Sequence, residues 1–234
     1  MGKKKILLKL TGTIFSAQEK KISAMSTVNA LLAQLKQLQS THSFGIVIGG
    51  GNFFRGAEQG AALGISPSIA HHVGMLATMM NGLILKDVCD QHGLASTVFS
   101  ALSCPNIGKD PSPQEITSAL QQDHILIFSG GTGNPFFTTD TNAVLRALEI
   151  NADELWKGTN VEGIFDKNPQ HNKDTRIISS ISYKEALEKK LGIMDMTAFA
   201  LAEQHNVTMR IFNIFCENAL IKAAQDKNFG SIIT

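Results

Sequence analysis

Three short apolar segments of this sequence each run directly into a turn of glycine or other small residues. The segments cover residues 6–10, 44–48 and 125–128, and the turns begin at Thr11, Gly49 and Ser129. Nearly continuous apolar runs of this length are typical of parallel strands that are buried on both faces. Amphipathic helices are predicted between and after them, at residues 22–38, 66–91, 114–121 and 141–150. Alternating strands and helices favour an α/β fold, a three-layer αβα sandwich around a mainly parallel sheet.

Composition narrows the class of protein. The 234 residues carry 43% hydrophobic and 18% charged residues, as expected of one globular domain over residues 1–234. A net charge of +1 predicts no nucleic-acid partner, and we find no run of the ~20 apolar residues that a membrane span needs. Cys89, Cys104 and Cys216 are an odd number without Cys-x-x-Cys spacing. They favour a reducing cytoplasm over a disulfide framework or a zinc site.

The carboxyl ends of parallel strands share one edge of a sheet, where ligands of α/β proteins bind. Lys9 ends the first predicted strand, and either meets a phosphate there or reaches solvent from an edge strand. Glycines 49–51 end the second, and such a run allows backbone N–H groups to approach an anion closely. Arg55 follows, with the planar fork that suits phosphate, although a lone arginine is often only a surface charge.

The third turn, Ser129-Gly-Gly-Thr-Gly-Asn-Pro-Phe-Phe-Thr-Thr-Asp140, is the longest. Thr138, Thr139 and Asp140 supply N-cap chemistry for the helix behind it, whose free N–H groups can hold an anion. Neither a P-loop nor a dinucleotide Gly-x-Gly-x-x-Gly turn is present in the sequence. The polar stretch 157–169 either wraps a ligand such as an adenine ring or is a plain surface loop. Asp195, at a predicted helix start, either caps the helix or steers a lysine or a metal ion.

The predicted helix 66–91 carries more apolar residues than one core face requires, among them Met75, Leu76, Met80 and Leu83. A surplus apolar helix is suited to contact between subunits. His71 and its neighbour His72 do not share a helix face, so a metal pair is not expected.

Five motifs, in order along essentially the whole chain, are similar to those of the bacterial uridylate kinases, a family of the amino acid kinase superfamily. They are Lys9-Leu-Thr-Gly12, Gly49-Gly-Gly-Asn-Phe-Phe-Arg-Gly56, Gly74-Met-Leu-Ala-Thr-Met-Met-Asn-Gly82, Gly131-Thr-Gly-Asn-Pro-Phe-Phe-Thr-Thr-Asp140 and Ile193-Met-Asp195. The fourth motif is close to specific for that family.

The resemblance implies ATP-dependent phosphorylation of UMP to UDP with Mg²⁺, by a homohexamer. It implies catalytic roles for Lys9, Arg55 and Asp195, with Asp195 orienting Lys9 or the metal. UMP would be bound by Gly50, Arg55, His71, Thr132, Gly133, Asn134, Pro135, Phe136, Phe137, Thr138 and Thr139. ATP would be bound by Lys9, Leu10, Thr11, Gly12, Gly51, Arg55, Thr159, Asn160, Phe165 and Asn168. Mg²⁺ would be carried mainly by the ATP phosphates, with Asp140 or Asp195 as candidate protein ligands.

Several residues depart from the family pattern. Thr11 and Thr13 stand where serine and glutamate are usual. His71 replaces an aspartate near the UMP ribose, and Asn168 an aspartate of the ATP loop. The segment between residues 15 and 22 is short, and Lys86 is the basic residue that remains at the effector position of the long helix. These last two departures predict a chain without GTP activation.

Two alternatives stay open at this point. A superfamily enzyme that phosphorylates a carboxylate or carbamate would share Lys9 and the glycine turns, but not the stretch 133–139. The other alternative is a non-catalytic nucleotide-binding oligomer. Such a protein would not need Lys9, Arg55 or Asp195, so the presence of all three residues disfavours it.

Overall fold

The computed structural model describes residues 2–15, 24–167, 174–189 and 191–234. Within them, eight strands form one sheet in the order β3-β4-β2-β1-β5-β9-β10-β8. The strands of this sheet are β1 Lys4–Leu10, β2 His42–Ile48, β3 Ser96–Ser100, β4 Ile125–Ser129, β5 Glu154–Thr159, β8 Ser180–Ile181, β9 Met209–Asn213 and β10 Ser231–Ile233. The short strands β6 Ile164–Phe165 and β7 Ile177–Ile178 pair separately and antiparallel.

The sheet is mainly parallel, as predicted. β1 pairs in parallel with both β2 and β5, and the parallel pairing continues to β3 on one side and to β9 on the other. β10 is antiparallel to β9. The carboxyl ends of β1, β2, β4 and β5 therefore lie side by side at one edge of the sheet.

Helices cover both faces and make the sandwich three layers thick. They are α1 Ala24–Leu38, α2 Gly56–Ala62, α3 Pro67–Gln91, α4 Pro113–Gln121, α5 Thr139–Glu149, α6 Tyr183–Glu188, α7 Met196–Gln204 and α8 Ala219–Gln225. Residues of α1, α3 and α8 join Ile6, Leu8 and Leu10 in one buried cluster. Residues of α4 to α7 join Leu7 in the other. Because side chains alternate along a strand, β1 contributes to both cores.

Several boundaries differ from the predicted ones. β5 continues through Lys157 to Thr159, whereas the sequence suggested a loop from residue 157. α8 begins after Asn218, because the left-handed backbone of that residue, with φ of 56°, cannot belong to a right-handed helix. α6 ends at Glu188 and begins with a capping box formed by Ser182 and Glu185. The 3-10 helix Gly12–Phe15, α2 and β6 to β8 were not predicted.

α3 is a long and apolar helix of 25 residues. It is the helix among the described residues that is long and apolar enough to cross a membrane by length and composition alone. Its inner side is buried on the sheet, where Met75, Met79 and Leu85 are at most 7% exposed. The apolar residues of α3 are therefore divided between a buried side that packs on the sheet and an exposed outer side.

Candidate active site

Two lysines on neighbouring strands share one carboxylate at the carboxyl edge of the sheet. Lys9 of β1 and Lys157 of β5 are register partners, so their side chains leave the same face of the sheet. Asp140, in the first turn of α5, lies between them. Its carboxylate oxygens are 3.0 Å from Lys9 Nζ and 2.6 Å from Lys157 Nζ. Lys157 also donates to the carbonyl oxygen of Ile193. We call Lys9, Lys157 and Asp140 the lysine–aspartate cluster.

The charges of this cluster shift two pKa values. Burial disfavours the ionised form of Asp140, but the ammonium groups of Lys9 and Lys157 outweigh it and hold the pKa of the carboxyl below its usual value. Burial, helped by the positive charge of Lys9, lowers the pKa of Lys157 despite the attraction of Asp140. One carboxylate thus neutralises only half of the positive charge, and the cluster attracts a further anion.

The turn after β2 is joined to the end of β1. The N–H of Gly49 donates to the carbonyl oxygen of Leu10 at 3.0 Å. A Cβ at Gly12 would collide with Asn52 Oδ1 and with the Gly49 carbonyl oxygen, so only glycine fits at this contact. Gly51 faces open space, because among the described residues the Arg55 side chain is the one group within 4 Å of a Cβ placed there. The backbone of the turns after β1 and β2 therefore lies beside Lys9, where a ligand could approach it.

The segment of residues 130–138 between β4 and α5 adopts the left-handed conformations that its glycines predict. We call it the acceptor loop, after the UMP-binding role that the sequence resemblance implies for it. Gly130, Gly131 and Gly133 have φ of 75°, 59° and 79°. Thr132 Oγ1 and the backbone of Asn134 bond to each other at 3.2 Å and close the tip of the loop. Pro135 is half-buried, while the rings of Phe136 and Phe137 are exposed. The loop is a shaped rim with polar groups at its tip.

Phe136 and His71 close one side of this rim. Phe136 has φ of 73°, a costly conformation for a bulky residue that is tolerated where the surroundings hold it in place. Its ring lies 5.1 Å from the ring of His71, in the first part of α3. The histidine that departs from the family pattern is therefore in contact with the acceptor loop.

Thr138 is the N-cap of α5, as predicted, and accepts from the N–H groups of Asp140 and Thr141. Thr139 Oγ1 lies 3.6 Å from the position that a Cβ on Gly49 would occupy, so the first turn of α5 meets the turn after β2 there. The first turn of α5 therefore joins the acceptor loop to the lysine–aspartate cluster.

Asp195 takes the capping role, one of the two roles that the sequence left open for it. It is the N-cap of α7, where it accepts from the N–H of Ala198 at 2.9 Å. Its carboxylate also accepts from the hydroxyls of Thr138 and Thr141. Asp140 rather than Asp195 forms the ion pair with Lys9, because the carboxylate oxygens of Asp195 are engaged in capping and in tying α7 to α5.

Arg55 is exposed, and its guanidinium donates to the carbonyl oxygen of Gly51 at 3.4 Å. It therefore stands at the glycine turn, apart from the ion pairs of the lysine–aspartate cluster.

Lys157 also lines a cavity of about 660 Å³. Thr159, Asn160 and Phe165 line it together with Ile193, so three of the predicted ATP residues share one pocket. Leu10, Thr11 and Gly12 lie at the end of β1 beside the cluster. Asn168 and most of the segment 15–22 lie outside the described residues.

The family model described as the amino acid kinase family matches residues 4–213. The chain belongs to the amino acid kinase family. A curated uridylate kinase of Mycoplasma pneumoniae is 42% identical over 98% of both chains. The crystal structure of UMP kinase from Ureaplasma parvum has a TM-score of 0.94 and 31% identity, with all of both chains covered. The UMP kinase structure from Bacillus anthracis has a TM-score of 0.92 and 27% identity, over 99% of this chain and 96% of that one. The comparisons confirm the αβα fold and the resemblance read from the sequence.

Lys157 is the functional candidate of this family member that the sequence reasoning missed. The sequence pattern predicts it at the start of a loop, whereas it lies within β5 and is 8% exposed. A usable signal was present, because Lys157-Gly158-Thr159 repeats the pattern of Lys9-Leu10-Thr11 at the end of another strand. A lysine two residues before a threonine at the ends of two strands indicates two positive charges at one edge of the sheet.

Proposed function

We propose that this chain is an ATP-dependent UMP kinase, which transfers the γ-phosphoryl group of ATP reversibly to UMP and yields UDP and ADP. The observation that carries the proposal is the position of the lysine–aspartate cluster. It lies between the cavity lined by Thr159 and Phe165 and the acceptor loop at residues 130–138. A donor in the cavity and an acceptor in the loop would place their phosphates on either side of two ammonium groups.

Phosphoryl transfer requires little covalent chemistry from a protein. The two phosphates have to be held in line while negative charge spreads over the transferring group. Lys9 and Lys157 would offset that charge, and Asp140 would keep both ammonium groups in place before substrate arrives. The acceptor phosphate attacks directly, so no protein nucleophile is needed.

On the acceptor side, Thr132 and Asn134 would meet the uracil and Thr139 would meet the UMP phosphate. The N-terminus of α5, beside Thr139, adds backbone donors that favour an anion. Arg55 would contact phosphate from the glycine turn. On the donor side, Asn160 and Phe165 would contact the nucleoside of ATP, and Gly51 would approach its phosphates.

Mg²⁺ fits this arrangement as a partner of the ATP phosphates. No group of three or more His, Cys, Asp or Glu that could hold a metal occurs in the described part of the chain. Asp140 is already paired with two lysines, and the carboxylate of Asp195 accepts from Thr138, Thr141 and the Ala198 N–H, so either carboxylate would meet Mg²⁺ only beside the ATP phosphates. Mg²⁺ commonly uses one or two carboxylates together with substrate phosphates. When bound, it would supply further charge neutralisation.

Assembly as a homohexamer in the cytoplasm is part of the proposal. Ile69, Leu76, Met80 and Leu83 line one side of α3 and are 40–53% exposed. We call these four residues the α3 outer stripe, and such a stripe is suited to a subunit interface. All three cysteines are free, as expected in a reducing compartment. We further propose a single domain with a place in pyrimidine nucleotide biosynthesis, in which the N-terminal part binds UMP and the C-terminal part ATP.

Coupled release of ADP tests the function. The protein would be assayed with Mg-ATP against UMP, CMP, dTMP and acetylglutamate. We expect turnover with UMP above the other acceptors. Turnover with acetylglutamate instead would favour an acyl-phosphate-forming relative, and bound ATP without any turnover would favour a nucleotide-binding oligomer.

A further inference from the structure

The side of α3 that faces the sheet edge carries two buried polar residues, Thr78 and Asn81. They are 6% and 0% exposed, and their spacing of three places them on one helix face. Burying a hydroxyl and an amide costs free energy unless each finds partners. Both residues find those partners in the turns of the candidate active site.

Thr78 holds the first residue of the acceptor loop. Its hydroxyl donates to the carbonyl oxygen of Met75 at 2.7 Å, within α3. The same oxygen accepts from the N–H of Gly130 at 2.8 Å. Met75 itself lies against Gly131, where an added Cβ would come within 3.1 Å of its side chain. The start of the acceptor loop is therefore fixed to one turn of α3.

Asn81 holds the turn after β2. Its Nδ2 donates to the carbonyl oxygen of Gly49 and to Asn52 Oδ1, each at 2.7 Å. Asn52 returns a hydrogen bond to Asn81 Oδ1 at 3.1 Å. The carbonyl of Gly49 can only accept, so it determines which end of the Asn81 amide faces it. Both amide hydrogens and the oxygen of Asn81 are thus used.

The same contacts reach the end of β1. Asn52 Oδ1 and the Gly49 carbonyl oxygen, both held by Asn81, are the atoms that a side chain at Gly12 would strike. Gly50 packs directly on α3, where an added Cβ would come within 2.7 Å of Ala77 Cβ. One face of α3 therefore sets the relative position of three turns, those after β1, β2 and β4.

We infer that Thr78 and Asn81 are positioning residues for phosphoryl transfer, and this inference rests on the proposed function. Both side chains are buried, so neither would contact the substrates. Asn81 places the β1 and β2 turns against each other beside Lys9, and Thr78 places the acceptor loop that would hold UMP. A loss of alignment by a fraction of an ångström lowers a rate without removing any catalytic group.

The two residues are expected to affect different kinetic constants. Thr78→Val keeps the shape of the side chain and removes the oxygen that Gly130 bonds. It should raise KM for UMP on the order of tenfold, leave KM for ATP unchanged, and be rescued by Thr78→Ser. Asn81→Asp turns a carboxylate oxygen toward the Gly49 carbonyl and should lower kcat on the order of a hundredfold. Asn52→Ala keeps the bond from Asn81 to Gly49 and should have a smaller effect in the same direction.

Tyr183→Phe is the matched control. It removes a buried hydrogen bond of 2.7 Å, from the Tyr183 hydroxyl to the Val207 carbonyl oxygen, in the other core cluster. Steady-state kinetics with UMP and ATP would be measured for all variants alongside their thermal unfolding. Hydrogen exchange of the Gly130 amide, expected to be faster in Thr78→Val, gives a readout that does not need activity.

Selective changes in the α3 variants, with control kinetics equal to wild type, would support the inference. Thr78→Val and Asn81→Asp with the same kinetic constants as Tyr183→Phe would overturn it while UMP turnover by the wild type stands. A wild type without UMP turnover would overturn the proposed function, and this inference with it. If Asn81→Asp fails to fold, Thr78→Val and Asn52→Ala decide the question in the same way.

Discussion

Asp140 accepts a hydrogen bond of 2.6 Å from Lys157 across the gap between α5 and β5. The carboxylate is also the ion-pair partner of Lys9, so one negative charge holds the buried ammonium group of Lys157 and the partly buried one of Lys9 at a single sheet edge. Removing one partner of a buried pair leaves the other charge uncompensated, which is the costly case.

Asp140→Asn should therefore lower both stability and activity. We expect a loss of about 3–5 kcal/mol in the free energy of unfolding at pH 7, measured by urea denaturation. The pKa of Asp140 is below its usual value, so its contribution is present above the unfolded value of about 3.9 and is lost as pH falls through the folded value. The variant should lack this part of the acid dependence. Equal unfolding free energies for wild type and variant at pH 7 would contradict the account.

The lowered pKa of Lys157 predicts an early alkaline limit on activity. Phosphoryl transfer would need the charged ammonium, which is lost as pH rises through the lowered folded pKa, below the ~10.4 of an ordinary lysine. Lys157→Arg stays protonated, so the alkaline fall of kcat should move to higher pH even if kcat itself is reduced. The measurement is a kcat–pH profile from pH 6 to 11. An alkaline limb that does not move on substitution would remove Lys157 from the chemistry.

The contact of His71 with Phe136 predicts an effect on the acceptor alone. His71→Ala removes a ring contact worth about 0.5–1.5 kcal/mol, so KM for UMP should rise roughly two- to tenfold with kcat nearly unchanged. His72→Ala is the neighbouring control, because the His72 ring bonds the Ser68 carbonyl within its own helix. A higher KM for ATP, or equal effects of both substitutions, would place His71 outside the acceptor site.

The α3 outer stripe predicts assembly through α3. Leu76, 52% exposed in the single chain, would lie in the subunit contact, and Leu76→Glu should shift the protein to smaller species in light scattering after size exclusion. Leu63→Glu changes an even more exposed leucine, at 68%, outside α3 and should leave the assembly intact. Dissociation by both variants, or by neither, would argue against this face.

The sequence predicted the sheet, its main strands and the glycine turns, because buried parallel strands and positive-φ glycines leave strong local patterns. The place of Thr138 as a helix cap also followed from residue type. The partner of Lys9 did not, since the choice between Asp140 and Asp195 depends on how α5 and α7 meet in space. The role of Asn81 could not be predicted either. Its hydrogen-bond partners, Gly49 and Asn52, are distant in sequence, so the pattern of the helix alone does not indicate them.

The most direct test of the central claim is phosphorus NMR of the reaction mixture with Mg-ATP and UMP. The proposed in-line transfer predicts the two phosphorus signals of UDP growing with those of ADP, as UMP and ATP decline. Lys9→Ala should abolish them, whereas Lys86→Ala, which removes an exposed pair with Asp90, should not. ADP that accumulates with inorganic phosphate and no UDP, or a Lys9→Ala variant as active as wild type, would contradict the account.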